Sequence, residues 1–123
     1  MNRRRLAELD RVAGALLDRD LAALRTVARH VAALERDAAQ LRAARDARAR
    51  DTVLDPARLA GADLAWGAWC DRRLARLQAQ IAALRVDHEL ALNKARTAFG
   101  RHEATGALVA RGARTPRGGN GPR

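Results

Sequence analysis

The stretch that decides the fold is residues 70–99, which read CDRRLARLQAQIAALRVDHELALNKARTAF. Within it, apolar or small side chains recur at alternating steps of four and three residues, and the run continues to Val109. A helix with this repeat presents one narrow apolar stripe, and sustained heptads are typical of a coiled coil. The stripe consists of Cys70, Leu74, Leu77, Ile81, Leu84, His88, Ala91, Ala95, Ala98 or Phe99, His102, Thr105 and Val109.

A second periodic stretch precedes it, from Arg3 to about residue 49, without proline and with Gly14 as its only glycine. We predict one long helix here, roughly 70 Å in length at about 1.5 Å per residue. Its predicted seam contains Leu6, Leu9, Ala13, Leu16, Ala23, Val27, Leu34 and Leu41, interrupted by Asp20, His30 and Asp37. A flanking row of Leu17, Leu24, Val31 and Ala38 widens the stripe.

The two periodic stretches are separated by residues 50–63, where the pattern breaks. Asp55-Pro56 is a helix-start signal, because aspartate caps free backbone amides and proline suits the first helical position. Gly61 and Asp63 offer a second possible start. The sequence therefore predicts an all-α fold, a long antiparallel two-helix coiled-coil hairpin with helices at about 3–49 and about 56–111. A parallel homodimer of continuous helices is the alternative, and Asp55-Pro56 and Gly61 argue against it.

Beyond the hairpin, residues 112–123 read GARTPRGGNGPR, and we predict a disordered basic tail because this segment has almost nothing to bury. Folding back within residues 50–61 predicts that facing positions have numbers summing to about 104–111. Asp20 and His88 both interrupt an apolar seam and fall within that range, so we expect them to form a pair.

The charge of the chain is +10, which raises the question of nucleic acid. Residues 6–111 contain 18 basic and 14 acidic side chains, an ordinary mixed surface. The remaining six positive charges are Arg3, Arg4, Arg5, Arg114, Arg117 and Arg123. No continuous basic stripe and almost no aromatic stacking surface occur, which disfavours nucleic acid as a partner.

Catalytic, cofactor and metal sites are not predicted. The sequence has no serine and no glycine-rich loop between a strand and a helix, and Cys70 lies in a helical seam. His88-Glu89 begins like a metalloprotease helix, but position 92 is leucine, so the second zinc ligand is missing. One cysteine and the lack of an 18-residue apolar run indicate a cytoplasmic protein without a membrane span.

Partner-binding candidates are two tryptophans and several arginines. Trp66 and Trp69 are three residues apart and share a helix face; they either plug the hairpin near its turn or offer an exposed anchor, and the first interpretation is favoured. His30, His88 and His102 fall near seam positions, where a polar layer tunes register; a pH switch is the less favoured alternative. The predicted partner-binding residues are Arg3, Arg4, Arg5, Trp66, Trp69 and Arg73.

The second helix resembles that of the flagellar export protein FliJ and its type III secretion relatives of the YscO group. Trp66-Gly-Ala-Trp69-Cys70 leads into a leucine and isoleucine heptad run, then a late Phe99 and an arginine-rich end. The similarity extends loosely over residues 3–111. Arg73 stands where that family has an aromatic or aliphatic residue.

The resemblance implies a non-enzymatic coiled-coil component of the flagellar or type III export apparatus, peripheral to it at the inner membrane. Such proteins look like the central stalk of rotary ATPases. Its implied partners are a hexameric export ATPase, which it would activate, an export-gate membrane protein and export chaperones. The alternatives are an arginine-rich nucleic-acid-associated coiled coil and a purely structural coiled coil.

Overall fold

Among the residues that the structure describes, three helices form the regular structure: α1 (Arg3–Arg50), α2 (Pro56–Leu59) and α3 (Ala62–Arg114). The computed structural model describes residues 2–53 and 55–114. The two long helices pack against each other, and no strand occurs in these two ranges. The predicted all-α helical hairpin is therefore confirmed. None of the described helices combines the length and the apolar character needed to cross a membrane.

The chain divides into two compact units. Of the described residues, the terminal unit comprises residues 2–26 and 89–114, and the turn unit comprises those from 27 to 88. Each unit contains a segment of α1 packed beside an antiparallel segment of α3.

The beginning of α1 is fixed by Asn2, whose side-chain oxygen accepts a hydrogen bond of 2.8 Å from the backbone N–H of Arg5. This is the N-cap arrangement, in which a short polar side chain satisfies an otherwise free amide of the first turn. The helix then runs without interruption to Arg50, one residue beyond the predicted end.

The connection contains a short helix and a glycine that sequence reasoning only partly predicted. Asp55 caps α2 by accepting from the backbone N–H of Arg58, and Pro56 occupies its first turn. Gly61 then has φ of +83°, a left-handed conformation that a side chain would disfavour. The chain therefore leaves α2 and starts α3 at Ala62, so the prediction of one helix from residue 56 is wrong. The alternative start at Gly61 and Asp63 is the better one.

The far end of α3 lies at Arg114, three residues beyond the predicted boundary at 111. Residues 112–114 are thus helical and not part of a disordered tail, because Ala113 and Arg114 are good helix formers that offset Gly112. The rest of the predicted tail, residues 115–123, lies outside the described residues.

The core of the turn unit forms where a small residue of α1 faces leucines of α3. Ala38, Leu74 and Leu77 are buried together, and Leu34 and Leu41 pack against them. Cys70 is also buried, as its seam position predicts. The α3 stripe is confirmed along its length: every predicted position from Cys70 to Val109 is buried or half-buried, with Ala98 and not Phe99 facing inward.

The α1 seam differs from the predicted one in one of its two columns. Leu9, Leu16, Ala23, His30 and Asp37 are exposed, whereas the row that was expected only to flank the seam is buried or half-buried. That row comprises Leu17, Leu24, Val31 and Ala38, and Asp10 continues it. The predicted column would have buried His30 and Asp37, and unpaired polar groups are costly to bury. The observed column has Asp10 as its one polar member among these positions, and that carboxylate has a partner.

The register is also shifted from the predicted one. In the terminal unit Asp10 bonds Thr105, and these numbers sum to 115. In the turn unit Glu35 pairs with Arg85, and these sum to 120. The expected range of 104–111 assumed that the chain turns within residues 50–61, but α3 begins only at Ala62. The predicted register is therefore wrong. The expectation that Asp20 pairs with His88 was based on that register.

Truncation of Leu77 should destabilise the protein strongly, because this side chain lies in the core of the turn unit. Leu77 is 1% exposed, so Leu77→Ala should lower the free energy of unfolding by about 2–5 kcal/mol. Leu64, which is 81% exposed on the same helix, is the control, and Leu64→Ala should change it by about 0.5 kcal/mol or less. Chemical denaturation followed by circular dichroism measures both. Equal effects would contradict the assigned core.

Two glycines of the turn unit should respond to alanine in opposite directions. A Cβ at Gly61 or at Gly67 would meet no atom within 4 Å, so backbone conformation alone decides the outcome. Gly61→Ala must adopt positive φ and should destabilise by about 1–2 kcal/mol. Gly67→Ala, inside α3, should stabilise by up to about 1 kcal/mol. Thermal unfolding compares the two variants, and stabilisation by Gly61→Ala would refute the turn geometry.

Candidate functional site

A cluster of cationic side chains marks the end of the terminal unit. Arg3, Arg4 and Arg5, all predicted partner-binding residues, are exposed on the first turn of α1. The guanidinium of Arg3 donates a hydrogen bond of 2.8 Å to the backbone carbonyl of Gly112 in the last turn of α3. A cation there also complements the negative end of the helix dipole. This contact places the arginines of α1 beside the end of α3.

A polar layer crosses the helix pair one to two turns further in. Asp10 accepts a hydrogen bond of 2.7 Å from the hydroxyl of Thr105, and His102 Nε2 lies 3.5 Å from the same carboxylate oxygen. The imidazole lies against Gly14, where an added Cβ would be 3.2 Å from Nε2. Glycine therefore permits the ring to enter the seam. Such a layer favours one register, because a shifted pairing would leave these half-buried polar atoms without partners.

The three histidines therefore have different positions. His102 belongs to the register-setting polar layer that the sequence predicts, and His88 is half-buried in its seam position. His30 is exposed, so its predicted seam position is wrong, because Val31 takes the inward-facing place next to it.

An arginine lies at the centre of the turn. Arg48 Nε donates to Asp63 at 2.9 Å, and its two terminal nitrogens each lie 3.4 Å from a carboxylate oxygen, one of Asp51 and one of Asp55. One guanidinium thus contacts Asp51 directly after α1, the cap of α2 and the first turn of α3. Its five donors in a rigid plane suit this multiple role better than an ammonium group would.

Arg58 adds a second cation to the same network. Its Nε lies 2.8 Å from Asp63, and Nη2 donates to the backbone carbonyl of Arg48 at 2.9 Å. The latter bond adds a second donor to a carbonyl at the end of α1, which also accepts from the backbone N–H of Asp51 at 3.3 Å. We call Arg48, Asp51, Asp55, Arg58 and Asp63 the turn network.

The turn network shifts two pKa values. The backbone N–H of Arg58 bonded to the Asp55 carboxylate, followed by Arg48, lowers the pKa of Asp55 below its usual 3.8. The hydrogen bond to Asp63 raises the pKa of Arg48 above its usual value. Both shifts favour the charged forms of Asp55 and Arg48.

The remaining predicted partner-binding residues lie on α3 in the turn unit. Trp66 is half-buried, Trp69 is 46% exposed, and Arg73 is half-buried. Trp66 continues the buried stripe from Cys70 towards the turn, whereas Trp69 presents apolar surface to solvent. The structure therefore separates the candidates into arginines of the terminal unit and a tryptophan-containing face of the turn unit.

The turn network was not predicted from the sequence. Its signal was present as closely spaced opposite charges between residues 45 and 63, but the spacing alone does not show which carboxylates face one guanidinium. Within the described ranges, no three His, Cys, Asp or Glu side chains converge in the way a metal site requires. The arrangement provides charge, hydrogen-bond donors and apolar surface for contact with another molecule.

Comparison with models of known protein families, with curated proteins and with solved structures found no significant match to this chain.

The depressed pKa of Asp55 gives the turn a defined pH dependence. Its stabilising effect is present above the unfolded pKa and is lost as pH falls through the lower folded value, so it should disappear only below about pH 4. Asp55→Asn keeps a capping side chain but removes this charge, so its melting temperature should fall less steeply than the parent's between about pH 5 and pH 2. Asp18→Asn, which removes an exposed carboxylate outside the turn network, is the matched control.

Proposed function

We propose that this chain is a non-catalytic, stalk-like component of a flagellar or type III protein export apparatus, which activates a hexameric export ATPase. It would also act as an adaptor to the export gate and to export chaperones. The location that follows is the cytoplasmic side of the inner membrane, at the export apparatus. The support comes from three sources: the helical hairpin, the resemblance of α3 to the FliJ and YscO group, and the charge of the terminal unit.

The observation that carries the proposal is the concentration of arginine where α1 begins beside the end of α3. The bond from Arg3 to Gly112 links the two helix ends, which lie side by side in the hairpin. Residues 2–8 and 109–114 contain five arginines and one acidic residue, Glu8. Exposed charge of one sign speeds association with a surface of opposite charge more than it increases final affinity. A stalk that enters an acidic ring by this end would use the arginines for that purpose.

The turn unit offers the competing orientation. Trp69 presents a large aromatic surface, and tryptophan is enriched among residues that dominate binding energy at interfaces. Arg73 is four residues further along the same helix and half-buried. If the turn unit enters the ring, these two side chains together with Trp66 would carry the contact.

The same exposed arginines favour one other function, association with nucleic acid. Binding of that kind depends mainly on phosphate contacts, and it weakens steeply with salt because counterions are released. The two functions therefore differ in a measurable way: a stalk changes the turnover of an ATPase, whereas a nucleic-acid-binding protein does not need to.

Neutralising the terminal arginines should reduce activation of the ATPase. The variant is Arg3→Gln with Arg4→Gln and Arg5→Gln, assayed for stimulation of the hexameric export ATPase at subsaturating concentration. Because these side chains are exposed, the melting temperature should barely change. Stimulation should fall on the order of tenfold and become less sensitive to salt.

The control removes the same charge elsewhere, as Arg25→Gln with Arg36→Gln and Arg42→Gln, three exposed arginines of α1. It should retain the parent's stimulation. If Trp66→Ala with Trp69→Ala abolishes stimulation while the terminal triple variant does not, the turn unit is the working end. If the parent chain leaves turnover unchanged and instead binds duplex DNA with a steep salt dependence, the export proposal is wrong.

A further inference from the structure

An apolar groove of about 840 Å³ runs along one side of the helix pair in the terminal unit. Its α1 wall is formed by Leu9, Val12 and Leu16, and Leu90 stands on the α3 wall. All four side chains are exposed, and Val12 is 56% exposed. Three of them belong to the α1 face that the observed seam leaves outside. This surface is therefore apolar without being part of the hairpin's own packing.

Small side chains give the groove its depth. Ala13 and Ala98 line it at the seam, and Ala98 is nearly inaccessible to solvent. Ridges of larger side chains on two helices with a floor of alanine between them are the shape into which the ridge of a third helix packs. On α1 the lining extends from Leu9 to Asp20, which is roughly 16 Å or about three helical turns.

The rim of the groove is basic. Arg19, Lys94 and Arg101 line it, with Asp20 as the one acidic lining residue. Asp20 is already paired with Arg19 at 3.2 Å. Lys94 and Arg101 are exposed on α3, and neither has an ion pair with any residue in the part of the chain that the structure describes. The rim therefore offers two uncompensated positive charges beside an apolar floor.

We propose that this groove binds an amphipathic helix of another protein, one whose apolar stripe is flanked by carboxylates. Leucine-sized side chains three and four residues apart would enter between the walls, as in other helix-in-groove complexes. Glutamate or aspartate beside that stripe would lie against Lys94 and Arg101, which sets orientation and disfavours basic helices. The inference stands independently of the export proposal, because it uses neither the terminal arginines nor the tryptophans.

Two other occupants fit the groove less well. Residues 115–123 of this chain, TPRGGNGPR, contain no apolar side chain beyond proline and carry two arginines, so they match neither the floor nor the rim. A second copy that paired through the same groove would bring two basic rims together, since a two-fold interface uses the same patch on both partners. The charge of the rim thus favours an acidic partner helix.

The test uses the full chain and a fluorescent synthetic peptide of about four helical turns, with leucines at helical spacing and glutamates on both sides of them. A matched peptide carries lysine in place of every glutamate. Fluorescence anisotropy should show the acidic peptide binding at least about tenfold more tightly than the basic one. Lys94 is the only lysine of the chain, so carbodiimide coupling followed by mass spectrometry should find the acidic peptide attached to it.

Paired variants separate the groove from the rest of the surface. Val12→Gln should weaken binding of the acidic peptide at least about tenfold, whereas Val86→Gln, at a 61% exposed position outside the groove, should not. Lys94→Glu should likewise weaken it, and Arg76→Glu, also exposed but not part of the rim, should leave it unchanged. Melting temperatures should agree across all four variants, because the positions are exposed.

Three results would overturn the proposal. The first is equal binding of the acidic and the basic peptide. The second is binding that Val12→Gln does not affect. The third is self-association of the parent chain in analytical ultracentrifugation that Val12→Gln abolishes, which would assign the groove to a second copy. None of these results bears on stimulation of an ATPase, so failure here is distinguishable from failure of the proposed function.

Discussion

Burial between α1 and α3 is confined to a narrow stripe, and the rest of the described structure depends on that stripe. Among the described residues, seven side chains are buried, and three of them are alanine: Leu17, Ala38, Cys70, Leu74, Leu77, Ala95 and Ala98. Because the hydrophobic contribution scales with apolar area, the few leucines provide most of it. Alanine contributes mainly by letting the two backbones approach. The polar layer around Asp10 then specifies the register, and the turn network specifies the turn. The apolar contacts alone are too uniform to specify either.

The helices could be predicted because their signals are local and repeated. The length of α1 and the whole α3 stripe follow from the heptad pattern. The choice between two adjacent α1 columns could not be read from the periodicity, because both share Leu6, Ala13, Val27, Leu34 and Leu41. The choice depends on His30 and Asp37, whose burial would cost more than the exposure of Leu9 and Leu16. To compare the two costs, one must know which α3 residues face each column of α1. That register depends on where the chain turns, and the turn ends at Gly61.

The candidate site was predictable only in part. Exposure of Arg3, Arg4 and Arg5 follows from charge and position, and the approach of the two helix ends follows from the hairpin. The convergence of three carboxylates on Arg48 depends on the path of the chain through α2, which a composition of mixed charges does not determine. The groove was not predicted from the sequence for a related reason. Leu9 and Leu16 were assigned to the seam, and a residue assigned to the core is not considered as surface.

The alanine content of the stripe also sets how the fold responds to temperature. The heat capacity of unfolding arises mainly from apolar surface that becomes hydrated, at about 0.45 cal/mol/K per Å², and a globular domain gains about 12–15 cal/mol/K per residue. Three buried positions of the stripe hold alanine and no larger side chain: Ala38, Ala95 and Ala98. Unfolding of this stripe therefore exposes less apolar surface to water. Its heat capacity increment per residue is therefore smaller and its stability curve flatter. A hairpin built this way changes its stability gradually over a wide range of temperatures.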